Sequence, residues 1–166
     1  MFANDGLVNY VLVNLGILDK PYNFLTQPFA AKMVIILALL WRWTGYNMVF
    51  FLSGLQNIEY SVYEAAKIDG ASAIQTFFKI TVPLLKPTIL LTAIMSTNGT
   101  LQLFDESVNL TDGGPANASI SMSHYIYNLC FKYVPNFGYA AAMSFFILLL
   151  VAVLAFIQMR VGDKRD

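Results

Sequence analysis

"VYEAAKIDGASAIQTFFKITVPLLKP", Val62 to Pro87, holds most of the charge in the middle of an otherwise greasy chain. It reads as two short helices joined by a hinge. The residues "EYSVYEAAKI" before it are good helix formers and stop at Asp69-Gly70, where glycine suits a left-handed cap. Ser72-Ala73-Ile74-Gln75 then fits the capping box, a serine followed three residues later by glutamine. Ile74, Phe77, Phe78 and Val82 recur at helical spacing, and the stripe is expected to lie against a membrane or the spans beside it. The first helix instead sets Glu64 beside the small residues Ala65 and Ala66. Small side chains admit another protein closely, and a carboxylate there can pair with an arginine. On these residues alone the segment is either a docking element or an ordinary amphipathic loop.

Composition says what surrounds it. Of 166 residues, 57% are hydrophobic, 14% aromatic and 12% charged, against about 45–50% apolar and about 25% charged in soluble domains. Mean hydropathy is +0.59. This is the balance of a membrane protein. The net charge of zero supplies no field toward nucleic acid. The single cysteine, Cys130, excludes an internal disulfide and a cysteine-built zinc cluster.

Three spans are expected. Residues 33–55 and 137–159 are apolar runs of 23 residues each, rising about 35 Å as helices, enough for a hydrocarbon core of about 30 Å. Residues 84–104 form a weaker span laced with Thr, Ser, Asn and Gln, with Pro83 and Pro87 tolerable in its first turn. Lys67, Lys79, Lys86, Arg160, Lys164 and Arg165 fall on one side, and only Lys20, Lys32 and Lys132 on the other. Positive residues favour the inner face, which places the 56–83 loop and the C-terminus in the cytoplasm and the N-terminus outside. Gly6–Leu18 is too short to span and suits an interfacial helix. Residues 105–136 form an outer loop in which "TDGGPANAS" is turn chemistry. After it, Met122, Ile126, Leu129 and Tyr133 fall on one face of a second interfacial helix. His124 stands there without a nucleophile–base constellation and reads as a surface histidine.

The polar segment closely resembles the EAA loop of ABC-transporter permeases. Glu64, Ala65, Ala66, Asp69, Gly70, Phe77, Pro83 and Pro87 match that pattern. "WRWTGYNMVFFLSGLQNI", "LTDGGPANAS", "YIYNLCF" and "FGYAAAMS" resemble pieces of one branch, the maltose, lactose and glycerol-phosphate type importers, in the expected order. The resemblance implies an all-α integral membrane fold, a type I ABC importer permease with a two-helix cytoplasmic coupling loop. Such a loop docks through Glu64, Ala65, Ala66, Asp69 and Gly70 into a separate ATP-binding subunit dimer. The implied assembly adds a second permease subunit and an extracytoplasmic solute-binding protein in a bacterial inner membrane. ATP and magnesium belong to the partner: no GxxxxGK[ST] occurs here, and no cofactor, metal or catalytic residue is expected in this chain. The family usually has six spans. Three are present, resembling the C-terminal half, so the chain reads as a fragment or truncated product of a permease.

A polar solute needs a lined path. Intramembrane polar groups usually face a bundle interior or a water-filled cavity, and aromatic rings with amides suit sugar faces and hydroxyls. The resemblance points to Trp41, Gly45, Met48 and to the Asn98–Leu103 stretch, with Asn98 and Gln102 the polar candidates. The bland reading is that Asn98 and Gln102 only bond neighbouring helices. Arg42, costly mid-span, is expected in a structural or gating pair. Gly138 and Ala142 are spaced for close helix packing, with Phe145 to Ile157 facing lipid. An intramembrane enzyme is disfavoured because the spans hold no His, Asp, Glu or Cys. A docking protein that moves nothing is the remaining alternative.

Overall fold

A computed structural model describes residues 2 and 5–162; Lys164 and Arg165, used above to orient the chain, lie outside the described residues. Every regular element among those residues is helical. In chain order these are α1 (Leu7–Asn14), α2 (Pro28–Gln56), α3 (Tyr60–Ile68), α4 (Ala73–Leu84), α5 (Lys86–Leu101), α6 (Met122–Tyr127) and α7 (Phe137–Gly162). Three π turns interrupt the pattern, at Phe77–Thr81 within α4, at Ser107–Thr111, and at Asn128–Lys132 after α6.

Helices α2 and α7 are each long and apolar enough to cross a membrane, with mean hydropathies of 1.4 and 2.8. Helix α5 has 16 residues, fewer than the 84–104 run read from sequence. It reaches span length only together with α4, from which it is bent by 65°. Large apolar side chains stand exposed along these helices, Trp41 and Phe29 at 85% and 73% among them. Apolar surface turned outward is what a lipid solvent rewards and water would not.

The chain divides into two compact units. The first comprises Met1–Trp41 and Thr100–Leu149. Here α1 is fixed by buried Asn9, whose side chain accepts from the Tyr22 N–H at 2.9 Å and donates to the Tyr22 carbonyl at 2.8 Å. Ala31, Val34, Ile35, Leu129, Ala140 and Ile147 are its buried apolar residues. The buried small residue of α7 is therefore Ala140, not Gly138, around which a Cβ would meet nothing within 4 Å. The sequence stripe at 122, 126, 129 and 133 is also revised. The π turn at Asn128–Lys132 breaks its phase, Met122 is exposed, and Tyr133 lies beyond the helix in extended backbone.

His124 is not on the surface. It is fully buried, with Nδ1 2.8 Å from the Ser107 hydroxyl and the Phe104 ring edge-on at 6.1 Å. The Gly-Gly-Pro loop folds over it, with Asp112, Gly113, Ala116 and Asn117 in left-handed conformations. Gly113 passes so close that a Cβ there would stand 3.3 Å from the imidazole Cε1. Sequence spacing carries no trace of a loop returning onto a ring twelve residues away, which is why a lone histidine in a polar stretch read as exposed.

The second unit comprises Arg42–Gly99 and Leu150–Asp166. Helices α2 and α5 run antiparallel in a fixed register: Gly54 meets Thr88 and Leu85, Asn47 meets Ser96, and Trp43 meets Gly99. Both glycines are notches. A Cβ on Gly54 would come within 2.8 Å of Thr88 Oγ1, and one on Gly99 within 2.3 Å of the Trp43 indole. Helix α7 packs antiparallel to α5 on another side, where Gly162 meets Leu90 and Gln158 donates to Thr97 Oγ1 at 2.8 Å. Gln158 lies just past the Phe145–Ile157 stretch expected to face lipid; within that stretch Ile147 departs from the expectation, being buried.

Candidate functional site

The coupling segment is a rigid elbow built from two complementary caps. Helix α3 ends in a Schellman motif: the Ala71 N–H donates to the Ala66 carbonyl at 3.0 Å and the Gly70 N–H to the Lys67 carbonyl at 3.1 Å. That closure needs left-handed backbone at Gly70, where φ is +73°, a conformation glycine adopts without steric cost. Two residues later Ser72 opens α4. Its hydroxyl accepts from the Gln75 N–H at 3.3 Å while the Gln75 side chain accepts from the Ser72 N–H at 2.8 Å. Both arms of the capping box are made. The two helices are also tied across the hairpin, where Tyr63 Oη and Thr81 Oγ1 are 3.3 Å apart, Thr81 being buried in its π turn.

The elbow divides the expected docking residues. Glu64, Ala65, Asp69 and Gly70 are exposed, whereas Ala66 is buried at 5% and belongs to the packing side of α3. Ile68 is 85% exposed, an apolar residue at the tip that the EAA pattern did not single out. Exposed Ile74, Phe77 and Phe78 form a second apolar strip on α4. Val82 follows the π turn and so drops out of phase with that strip.

The path candidates fall in both units. Gly45, Met48 and Asn98 lie in the second, Trp41 and Gln102 in the first. Trp41 and Met48 are exposed, at 85% and 58%. No neighbour stands within 4 Å of a Cβ built on Gly45. Other residues of the second unit also make polar contacts. Asn47 and Ser96 exchange hydrogen bonds in both directions, at 3.1 and 3.3 Å. Trp43 packs edge-on to Tyr46 at 5.6 Å, Tyr46 lies 5.1 Å from Phe50, and the Arg42 guanidinium sits 5.5 Å over the Trp43 ring. The Trp43 Nε1–H is buried without a hydrogen-bond partner. This aromatic ladder was visible in sequence as aromatic residues of the first span, but nothing in the pattern distinguished Trp43 from Trp41.

No group of three metal-ligating side chains occurs among the described residues. The arrangement is mechanical: a capped elbow on one element and a polar, aromatic seam between others.

Residues 7–165 match the family model described as "Binding-protein-dependent transport system inner membrane component". The chain belongs to that family. It is 54% identical over 167 residues to the lactose transport system permease protein LacF of Rhizobium radiobacter, a match covering 99% of this chain and 56% of that protein. The trehalose/maltose transport system permease protein MalF of Thermococcus litoralis is 37% identical over 160 residues, covering 96% of this chain and 53% of MalF. Among solved structures, a bacterial ABC transporter involved in import of the acidic polysaccharide alginate superposes with a TM-score of 0.82. That match is at 25% identity and covers 97% of this chain and 56% of that one. The bacterial alginate ABC transporter in complex with an alginate pentasaccharide-bound periplasmic protein gives 0.70 at 27% identity, over 95% and 53%. The chain spans about half the length of the curated relatives it matches. The regular elements among its described residues are all helical, and the relatives it matches are permease proteins of sugar transport systems.

Proposed function

We propose that this chain forms the force-receiving half of a permease subunit in an ATP-driven importer of sugars. The observation that carries the reading is the doubly capped elbow at Asp69–Ser72 with the exposed Glu64–Ala65 face beside it. A lever must keep its angle under load, and two hydrogen-bonded caps in four residues hold that angle better than a solvated loop. The elbow lies on the cytoplasmic side, with the N-terminus outside and the C-terminus inside, as the distribution of Lys and Arg favours. Glu64, Ala65, Asp69 and Gly70 meet an ATP-binding subunit, one of a dimer that holds ATP and Mg²⁺, while Ala66 supports them from beneath. A second permease subunit completes the bundle and an extracytoplasmic binding protein delivers solute.

Trp41, Gly45, Met48, Asn98 and Gln102 are proposed to line the solute path. Relatives named for lactose, trehalose/maltose and arabinooligosaccharides support a neutral di- or oligosaccharide as cargo. The 56–83, 84–104 and 105–136 segments are then coupling loop, middle span and outer loop.

Expression of the chain within an assembled importer, with an affinity tag on the permease, tests this reading. The ATPase subunit should co-purify, Glu64→Arg should reduce its recovery, and uptake from a panel of labelled lactose, trehalose and arabinooligosaccharides should fall in parallel. Undiminished recovery and uptake with Glu64→Arg would sink the docking assignment.

A further inference from the structure

We infer that His124 is a proton-operated latch that holds the Phe104–Lys132 loop closed while its imidazole is neutral and releases it on acidification. The hydrogen-bond inventory fixes the tautomer. Ser107 Oγ has one proton and three partners: the Ser119 carbonyl at 2.8 Å, the Ser121 N–H at 3.3 Å and His124 Nδ1 at 2.8 Å. A carbonyl only accepts and an amide N–H only donates, so the hydroxyl proton goes to Ser119 and Nδ1 must donate. Neutral His124 is therefore protonated at Nδ1 and carries its lone pair on Nε2.

That lone pair is sealed in. Nε2 is buried without a hydrogen-bond partner, and the nearest acidic oxygen, Asp112 Oδ1, is 3.7 Å away. Asp112 is already engaged with Lys132 Nζ at 2.7 Å. The charged groups set against the ring are these two, with Tyr127 and Tyr133 beside Lys132 and Glu106 adjoining Ser107 in the chain. The remaining close neighbours, Phe104, Ile120 and Gly113, offer no counter-charge. A proton on Nε2 would make a buried cation facing a carboxylate too distant for a hydrogen bond and shared with an ammonium. Desolvation accordingly lowers the His124 pKa, Asp112 opposes that, and Lys132 adds to it. A depressed native value means that the closed loop holds its full stability above the ordinary histidine range and loses it as pH falls. The segment that gives way is marked by the left-handed run Asp112–Gly113 closing over the ring.

The chain has one histidine, so 15N-histidine labelling in nanodiscs reads this imidazole alone. We expect the Nδ1–H tautomer at neutral pH and a midpoint below the ordinary value of about 6.5. Lys132→Gln should raise the midpoint and Asp112→Asn lower it. Hydrogen exchange across residues 104–132, taken as a ratio to His124→Asn, should rise by up to tenfold per pH unit as pH falls from about 6.5 to the midpoint, and level off below it. His124→Asn keeps a donor toward Ser107 and cannot titrate. An Nε2–H tautomer, a midpoint at or above the ordinary value, or a ratio flat with pH overturns the latch. If His124→Asn does not fold, the opposed shifts in the Lys132→Gln and Asp112→Asn titrations decide the question alone.

Discussion

Replacing Gly70 with valine isolates the elbow's contribution. Within the chain a Cβ at this position meets nothing within 4 Å, so inside the elbow the effect is one of backbone. At φ +73° an L-residue with a Cβ loses about 1–2 kcal/mol, with a branched side chain at the upper end. Two kcal/mol converts to a roughly thirtyfold smaller population of the native elbow. Asparagine tolerates left-handed backbone and should lose far less. In an importer carrying this chain, solute uptake should fall in the order glycine, asparagine, alanine, valine. ATP hydrolysis should persist, because the engine still turns while the lever slips. Paired measurements of uptake and ATPase rate in proteoliposomes check this. Equal losses for valine and asparagine would refute the reasoning, since then geometry at φ is not what matters.

Other expectations follow from particular contacts. Gly99→Ala should destabilise the second unit by about 1–3 kcal/mol through its collision with Trp43, and Trp43→Ala should partly restore it, both read by SDS unfolding. A double-mutant cycle on Asn47→Leu and Ser96→Ala should return a coupling near 0.6 kcal/mol and below about 1.7, the range for hydrogen bonds within membranes. Ser72→Ala should weaken α4 by about 1 kcal/mol, seen as faster exchange of the Gln75 amide.

Much of the elbow was legible because caps are local. A serine three residues before a glutamine and a glycine after a run of helix formers each announce their own hydrogen bonds, and both were found where the pattern put them. The two long apolar helices were legible for the same reason, since length and hydropathy need no partner. What sequence could not give was anything decided across distance. The burial of His124 depends on a returning loop, the Trp43–Gly99 notch on the register of two helices, and the Gln158–Thr97 bond on a residue 61 positions away. The π turns were invisible because a helix with a surplus residue has no compositional signature, yet they displaced Val82 and Tyr133 from stripes that regular spacing had drawn through them.

The π turn within α4 makes the elbow's azimuth a matter of counting. A π turn is an α-helix carrying one residue too many, and each helical residue advances about 100°. Deleting a single residue from Phe77–Thr81 would leave continuous helix and swing the α3 face around by a little more than a quarter circle. Orientation at this joint is thus quantised, set by chain length in whole steps, while the identities of the side chains only select what is shown once the dial has stopped.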